Sequence, residues 1–256
     1  MKEITKLFCR VGSKRPILKV LEKHFPSDYN LYMEPFVGSG DVFFRLKKEG
    51  VDAVINDIDK ELMTNGYGIL KKGYSLDGID KYEKKRSIEE QLKFQTNLVN
   101  NKQTNGLDIL GKEIYRICGT FGSTGKGKQH DSKISNISAK LKKMELYKDY
   151  MKNTKVFSTD YKNIIKKYDG KDSFMFLDPP YEKSKELYKQ SFINYEEMRD
   201  LLKNVKGKFL LTINDSPEIR KVFSGFKMTA IDVKGQSHRE KGIGSGVRKE
   251  LIVKNY

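Results

Sequence analysis

Apolar and polar positions alternate in two blocks of α/β character, with a looser, more polar stretch between them. In the first block, residues 16–24 set Ile17, Leu18 and Leu21 on one helical face, with Pro16 suited to a first turn. Leu31–Glu34 reads as a short strand, broken by Gly38-Ser39-Gly40. Helical spacing resumes over 41–49 through Val42, Phe43 and Leu46 until Gly50 stops it, and 51–56 is a second strand closing on Asp57. Strand, glycine turn, helix, strand is a βαβ unit, which predicts a parallel sheet with a right-handed crossover. The second block repeats the alternation. A continuous apolar strand at 174–177 is followed by a helix over 195–205, a strand over 208–213, a short helix over 217–223, and closing strands at 227–233 and 250–254. The chain therefore reads as an α/β sheet split by an insertion: residues 1–62 and 155–256 carry the sheet, and 63–154 form the insert.

At 256 residues the chain is long enough for a core that needs no disulfide or metal staple. Fifty Lys and Arg against 34 Asp and Glu give a net charge of +16, which favours a polyanionic partner, nucleic acid ahead of an anionic membrane surface. No apolar run approaches the roughly 18 residues of a membrane span, and the opening MKEITKLFCR has no signal-peptide core, so the expected setting is cytoplasmic. Two cysteines and three scattered histidines predict reduced thiols and no metal site. The insert is more basic still, with 11 Lys and Arg against 4 acidic residues over 111–155. Its Gly-, Ser- and Lys-rich middle, 118–136, has a solvated loop as its simplest reading.

Chemistry concentrates at two strand ends. Glu34-Pro35-Phe36-Val37-Gly38-Ser39-Gly40 sits where a backbone can turn sharply and approach a ligand, ahead of a helix N-terminus suited to anions. The pattern is G-x-G-x-x-F, with Phe43 in the place of the third glycine of dinucleotide binders, and by itself it is equally a structural βα turn. Asp57, 17 residues after Gly40, is placed to bind both hydroxyls of a ribose, or to cap the helix that begins near Asp59. Together these favour a nucleoside-bearing cofactor. Asp178-Pro179-Pro180-Tyr181 then ends an apolar strand, at the sheet edge where open α/β folds bind ligands. A carboxylate, a carbonyl of fixed direction and an aromatic ring suit a planar base bearing an exocyclic amine. Asp178 and the Pro179 carbonyl can accept the two amine hydrogens, and Tyr181 can stack on the ring.

EPFVGSG followed by LDPPY resembles the amino-group DNA methyltransferases, specifically the DNA adenine methylase (Dam-like) family of the alpha group. The likeness runs over nearly the whole chain. Phe8–Pro16 resembles the segment that folds back over the cofactor, although Arg10 stands where an aromatic residue is common and Ser13 where a glycine is. Ile55-Asn56-Asp57 is similar to the ribose-binding strand end, and the glycine loop precedes the catalytic tetrapeptide, with the recognition insert between them. The insert itself matches poorly.

The resemblance implies a Rossmann-like S-adenosylmethionine (AdoMet)-dependent fold, with helices on both faces of the sheet, and methylation of the adenine N6 amine in duplex DNA within a short site such as GATC. It implies a catalytic set of Asp178, Pro179, Pro180 and Tyr181. The cofactor set it implies is Arg10, Lys14, Glu34, Phe36, Gly38, Ser39, Gly40, Asp57 and Asp178, with Lys14 facing the methionine carboxylate. Arg116, Lys126, Lys128 and Lys133 in the insert and Arg239 in the basic tail are the candidate DNA contacts. The competing readings are a cytosine-N4 methyltransferase and a catalytically inactive DNA-binding or specificity subunit; oligomeric state is open between monomer and weak dimer.

Overall fold

A computed structural model describes residue 4 and residues 6–10, 12–119, 137–180, 193–234 and 247–256. Seven strands form one sheet: β1 (Leu31–Glu34), β2 (Asp52–Asn56), β3 (Thr154–Phe157), β4 (Ser173–Leu177), β5 (Lys208–Asn214), β6 (Lys227–Lys234) and β7 (Val247–Lys254). Their order is β3-β2-β1-β4-β5-β7-β6. The first five run parallel, and β7 lies antiparallel between β5 and β6. From β1 the chain winds outward through β2 to β3; β4 returns to the other side of β1, and winding then proceeds the opposite way. That reversal opens a crevice at the carboxyl ends of β1 and β4.

Strand β4 is buried along its whole length, which explains its unbroken apolar text. Alternation sends Tyr32, Phe174, Phe176, Leu210 and Ile252 to one face and Met33, Met175, Leu177, Leu211 and Val253 to the other. The second face is covered by α9 (Tyr161–Tyr168), α10 (Tyr195–Lys203) and α11 (Pro217–Val222). The first is covered by α1 (Leu18–Glu22), α2 (Phe43–Leu46), a π-helical turn at Leu62–Tyr67, α3 (Gly68–Lys72) and much of the segment before β3. Helices on both faces of a mostly parallel sheet are the expected fold class.

Several expectations need correction. The segment before β3, expected as a mainly helical and loop insert, carries among its described residues α4 (Asp80–Glu83), α5 (Ile88–Asn100), α6 (Gly106–Cys118), α7 (Ile137–Leu141) and α8 (Met144–Tyr150). On α6, Leu107, Leu110, Ile114 and Ile117 recur at helical spacing and join the same apolar cluster as the sheet. Ser87 and Glu90 start α5 with reciprocal side-chain-to-backbone bonds. Strand β3 carries only four residues and takes its pairing from β2, so its own text gives no signal. The helix expected over 41–49 shrinks to α2 because Lys47 turns extended and the Lys48 N–H goes to the Tyr29 hydroxyl at 2.8 Å.

The cysteines also depart from expectation. Cys9 and Cys118, expected as free thiols, are joined in a disulfide between the amino-terminal segment and the last residue of α6. A separation of 109 residues hides this proximity from the sequence, and the pairing removes the cysteine argument for a reducing compartment. Among the described residues, no helix is long and apolar enough to cross a membrane.

Candidate active site

The glycine turn after β1 is held from below. The Asn56 carbonyl accepts the Val37 N–H at 2.9 Å, the Val37 carbonyl accepts the Gly40 N–H at 2.8 Å, and Asp57 Oδ2 accepts the Gly38 N–H at 3.0 Å. Gly38 and Gly40 sit at φ +47° and +75°, where a side chain is strained. Beyond that they differ. A Cβ on Gly38 would meet open space, whereas one on Gly40 would come within 2.5 Å of the Tyr67 hydroxyl and 2.9 Å of the Phe44 ring. Gly40→Ala is therefore expected to lose about 2 kcal/mol or more, from strain plus overpacking, and Gly38→Ala about half of that. Thermal melts of the two variants check the order.

The amino-terminal segment is fastened across this turn. Asp41 Oδ2 receives Lys6 Nζ at 2.8 Å, the Ser13 hydroxyl at 2.5 Å and the Ser39 hydroxyl at 3.0 Å. Arg10 pairs with Asp59. Lys14 is buried, with Nζ 2.7 Å from Asp178 Oδ1 and 3.1 Å from the Gly12 carbonyl. The Thr212 hydroxyl on β5 donates to the same Asp178 oxygen at 2.9 Å. The carboxylate at the end of β4 is thus oriented from two sides. Pro180 is pinned separately, its carbonyl accepting the Tyr195 hydroxyl at 3.0 Å.

Glu34 lies beside this cluster, 2 % exposed, accepting the Tyr32 hydroxyl at 2.6 Å. Burial pushes its carboxyl well above the usual range; the Tyr32 bond opposes this, and the Asp178 and Asp41 charges add to it. Asp57 accepts two backbone N–H groups: besides holding Gly38, its Oδ1 accepts the Asp59 N–H at 3.0 Å, just ahead of the following helix. Phe36 packs on Tyr161, ring centres 5.0 Å apart. Contacts thus join Lys14 to Asp178, Ser39 to Asp41, Gly38 to Asp57 and Arg10 to Asp59 around the carboxyl ends of β1, β2 and β4.

Other expected residues stand elsewhere. Arg116 is mostly buried, its guanidinium committed to Glu113 at 2.6 Å and to Asp59 and Glu61 at 3.1 Å each. Three carboxylates of the chain, the exposed Glu61 among them, claim the donors that a DNA phosphate would need. Tyr181, Lys126, Lys128, Lys133 and Arg239 lie outside the described residues. Sequence reasoning missed Thr212, Asp41, Asp59 and the Tyr67 hydroxyl, which donates to the Gly38 carbonyl at 3.0 Å. Only Asp41, directly after the glycine turn, had a positional signal.

A doubly wound sheet whose crevice sets a glycine turn on one central strand against an Asp-Pro-Pro turn on the next defines a methyltransferase that acts on an amine. The sequence model of the D12 class N6 adenine-specific DNA methyltransferases matches residues 11–237, and the chain belongs to that family of adenine-specific DNA methyltransferases. Among curated relatives, the Type II methyltransferase M.CviBI of Paramecium bursaria Chlorella virus NC1A is 24 % identical, over 96 % of this chain and 97 % of its own. Type II methyltransferase M1.LlaDCHI of Lactococcus lactis subsp. cremoris is 25 % identical, over 96 % and 93 %. Type II methyltransferase M.MjaIII of Methanocaldococcus jannaschii is 26 % identical, over 67 % of each chain.

Proposed function

We propose that the protein transfers a methyl group from AdoMet to the N6 amine of an adenine rotated out of duplex DNA, within GATC or a similar short site. The observation that carries this is the placement of Asp178: at the carboxyl end of β4, beside the glycine turn, with one oxygen fixed by Lys14 and Thr212. The residues fit the cofactor. Gly38 and Gly40 let the backbone turn at positive φ beside Asp57 and Asp178, and the space above Gly38 is open, which suits close approach of a nucleoside-bearing ligand. When bound, AdoMet supplies a methyl already activated by its sulfonium.

The remaining work falls to the chain. An adenine amine is a poor nucleophile because its lone pair is delocalised into the ring. Asp178 accepts one N6–H and the Pro179 carbonyl the other, so the nitrogen can pyramidalise, and Asp178 then stabilises the developing positive charge and takes up a proton. Lys14 and Thr212 hold that carboxylate in one orientation. Extruding the base costs a few kcal/mol, and Tyr181 stacks on the ring once it is out.

Residues 63–154 form the target-recognition insert in this reading, set between the 1–62 and 155–256 parts of the catalytic unit. Lys126, Lys128 and Lys133, with Arg239 of the tail, supply phosphate or base-edge contacts. Arg116 is better read as the residue that ties α6 to Asp59 than as a DNA contact. The Type II names of the relatives support a partnership with a restriction enzyme. Incubation with unmethylated plasmid and labelled AdoMet, followed by single-molecule mapping, is expected to find N6-methyladenine at one short motif. Label confined to cytosine, or none transferred, would overturn the proposal.

A further inference from the structure

Glu250 on β7 is fully buried, yet neither carboxylate oxygen accepts a hydrogen bond among the described residues. Arg248 Nη2 lies 2.6 Å from Oε1, an ion pair without hydrogen-bond alignment. Directly across the strand pair is Asn214, whose Oδ1 is also buried without a partner among those residues. Directly opposed residues in an antiparallel pair share a face with Cβ atoms about 5 Å apart. Two acceptors without a hydrogen bond among the described residues therefore meet at the carboxyl edge of β5, and a buried carboxylate that accepts none is costly enough to need a reason.

Position supplies one. Asn214 follows Thr212 by two residues, so both point to the face on which Thr212 bonds Asp178. One strand across and two residues along puts its Cα about 8 Å from that of Asp178, within the span of a purine. The glycine turn lies on the opposite side of β4. The carboxyl edge is thus divided: cofactor residues lie on the β1 and β2 side, and Asn214 and Glu250 on the β5 and β7 side.

We propose that Asn214 and Glu250 form the far wall of the target-base pocket, with Glu250 a positioning residue that acts through the Asn214 amide. The inference rests on the adenine-N6 reading above. A half-turn about the last side-chain torsion of asparagine, which has broad, two-fold preferences, brings one Nδ2–H to the Glu250 carboxylate. The second Nδ2–H then faces the crevice and donates to a ring nitrogen flanking the amine, N1 or N7, while Asp178 and Pro179 keep the amine itself. Asparagine has the donor and acceptor pattern to read that edge of adenine.

The test uses the full chain and a duplex carrying its mapped site, with 1-deazaadenine or 7-deazaadenine in place of the target. One of the two analogues is expected to lower the wild-type kcat/KM for DNA about tenfold. Asn214→Ala should show that loss on ordinary adenine and no further loss on the analogue. Glu250→Leu should lose a similar factor without losing thermal stability, because an apolar residue replaces a buried charge. Glu250→Gln, which keeps an acceptor, should recover most of the activity. AdoMet affinity by calorimetry should stay within about twofold throughout, given the distance from the glycine turn. An active wild type that ignores both analogues, or an Asn214→Ala variant that still discriminates as wild type does, overturns the inference alone. A wild type that methylates no adenine removes the reading beneath it, and the inference with it.

Discussion

Asp178→Ala is expected to lower the rate of methyl transfer to DNA by on the order of a thousandfold or more, to the background of the assay. Two losses combine. The substrate amine loses the acceptor that lets its nitrogen pyramidalise, and the proton it must shed loses its destination. Alanine also removes the anion 2.7 Å from the buried Lys14 ammonium, so part of any effect would come from a disturbed amino-terminal segment. Asp178→Asn separates the two causes. It keeps the size of the side chain and an oxygen for Thr212, but it lacks the charge that matches Lys14 and the developing cation. Both variants should fall to background in single-turnover assays, with AdoMet affinity within a few-fold of wild type for the asparagine variant and a drop in melting temperature that is smaller for asparagine, which keeps polar atoms beside Lys14, than for alanine. An asparagine variant retaining a tenth of wild-type activity would show that the carboxylate is not the group that activates the amine.

Much of this site was legible because its signals are local. Gly38-Ser39-Gly40 and Asp178-Pro179-Pro180 each pack a backbone constraint and a functional group into a few residues at the end of an apolar strand. A turn that needs positive φ, or a proline pair after a buried strand, has few alternative explanations. The sheet followed from the same logic for β1, β2, β4 and β5, whose apolar runs are dictated by burial on one or both faces. What stayed hidden depends on residues distant in sequence. Thr212 is one polar residue in a strand that otherwise reads as core, and its partner is 34 residues away. Cys9 and Cys118 meet only because the amino-terminal segment crosses the end of α6. Arg116 looked like a DNA contact because a basic segment surrounds it, whereas the carboxylates that neutralise it come from α6 itself and from the turn after β2. Charge composition pointed to nucleic acid as the kind of partner, but it carries no sign of the carboxylates that pair with Arg116.

That arginine leads to the largest expected effect on stability. Asp59 holds two guanidinium groups at once, Arg10 from the amino-terminal segment and Arg116 from α6, and its Oδ1 also accepts the Leu62 N–H at 3.1 Å. Asp59→Ala leaves both cations inside the protein with one shared counter-ion fewer, a change that costs about 3 kcal/mol, since Glu113 and Glu61 still restrain Arg116. For a chain of this size the melting temperature should fall by roughly 6–12 °C at pH 7. The pH dependence has a definite sign. Burial alone would raise the Asp59 carboxyl, but Arg10 and Arg116 outweigh it and hold the group below its ordinary 3.8. A carboxyl lowered on folding contributes stability that is full above the unfolded value and fades as pH drops through the folded one. The gap between wild type and variant should therefore stay constant from about pH 5 to 8 and narrow only in stronger acid. Because Arg10 lies four residues before Lys14, the same variant should bind AdoMet more weakly even at temperatures where it is fully folded. A melting temperature that falls while AdoMet affinity holds would mean that the ion cluster anchors α6 without positioning the segment over the cofactor crevice.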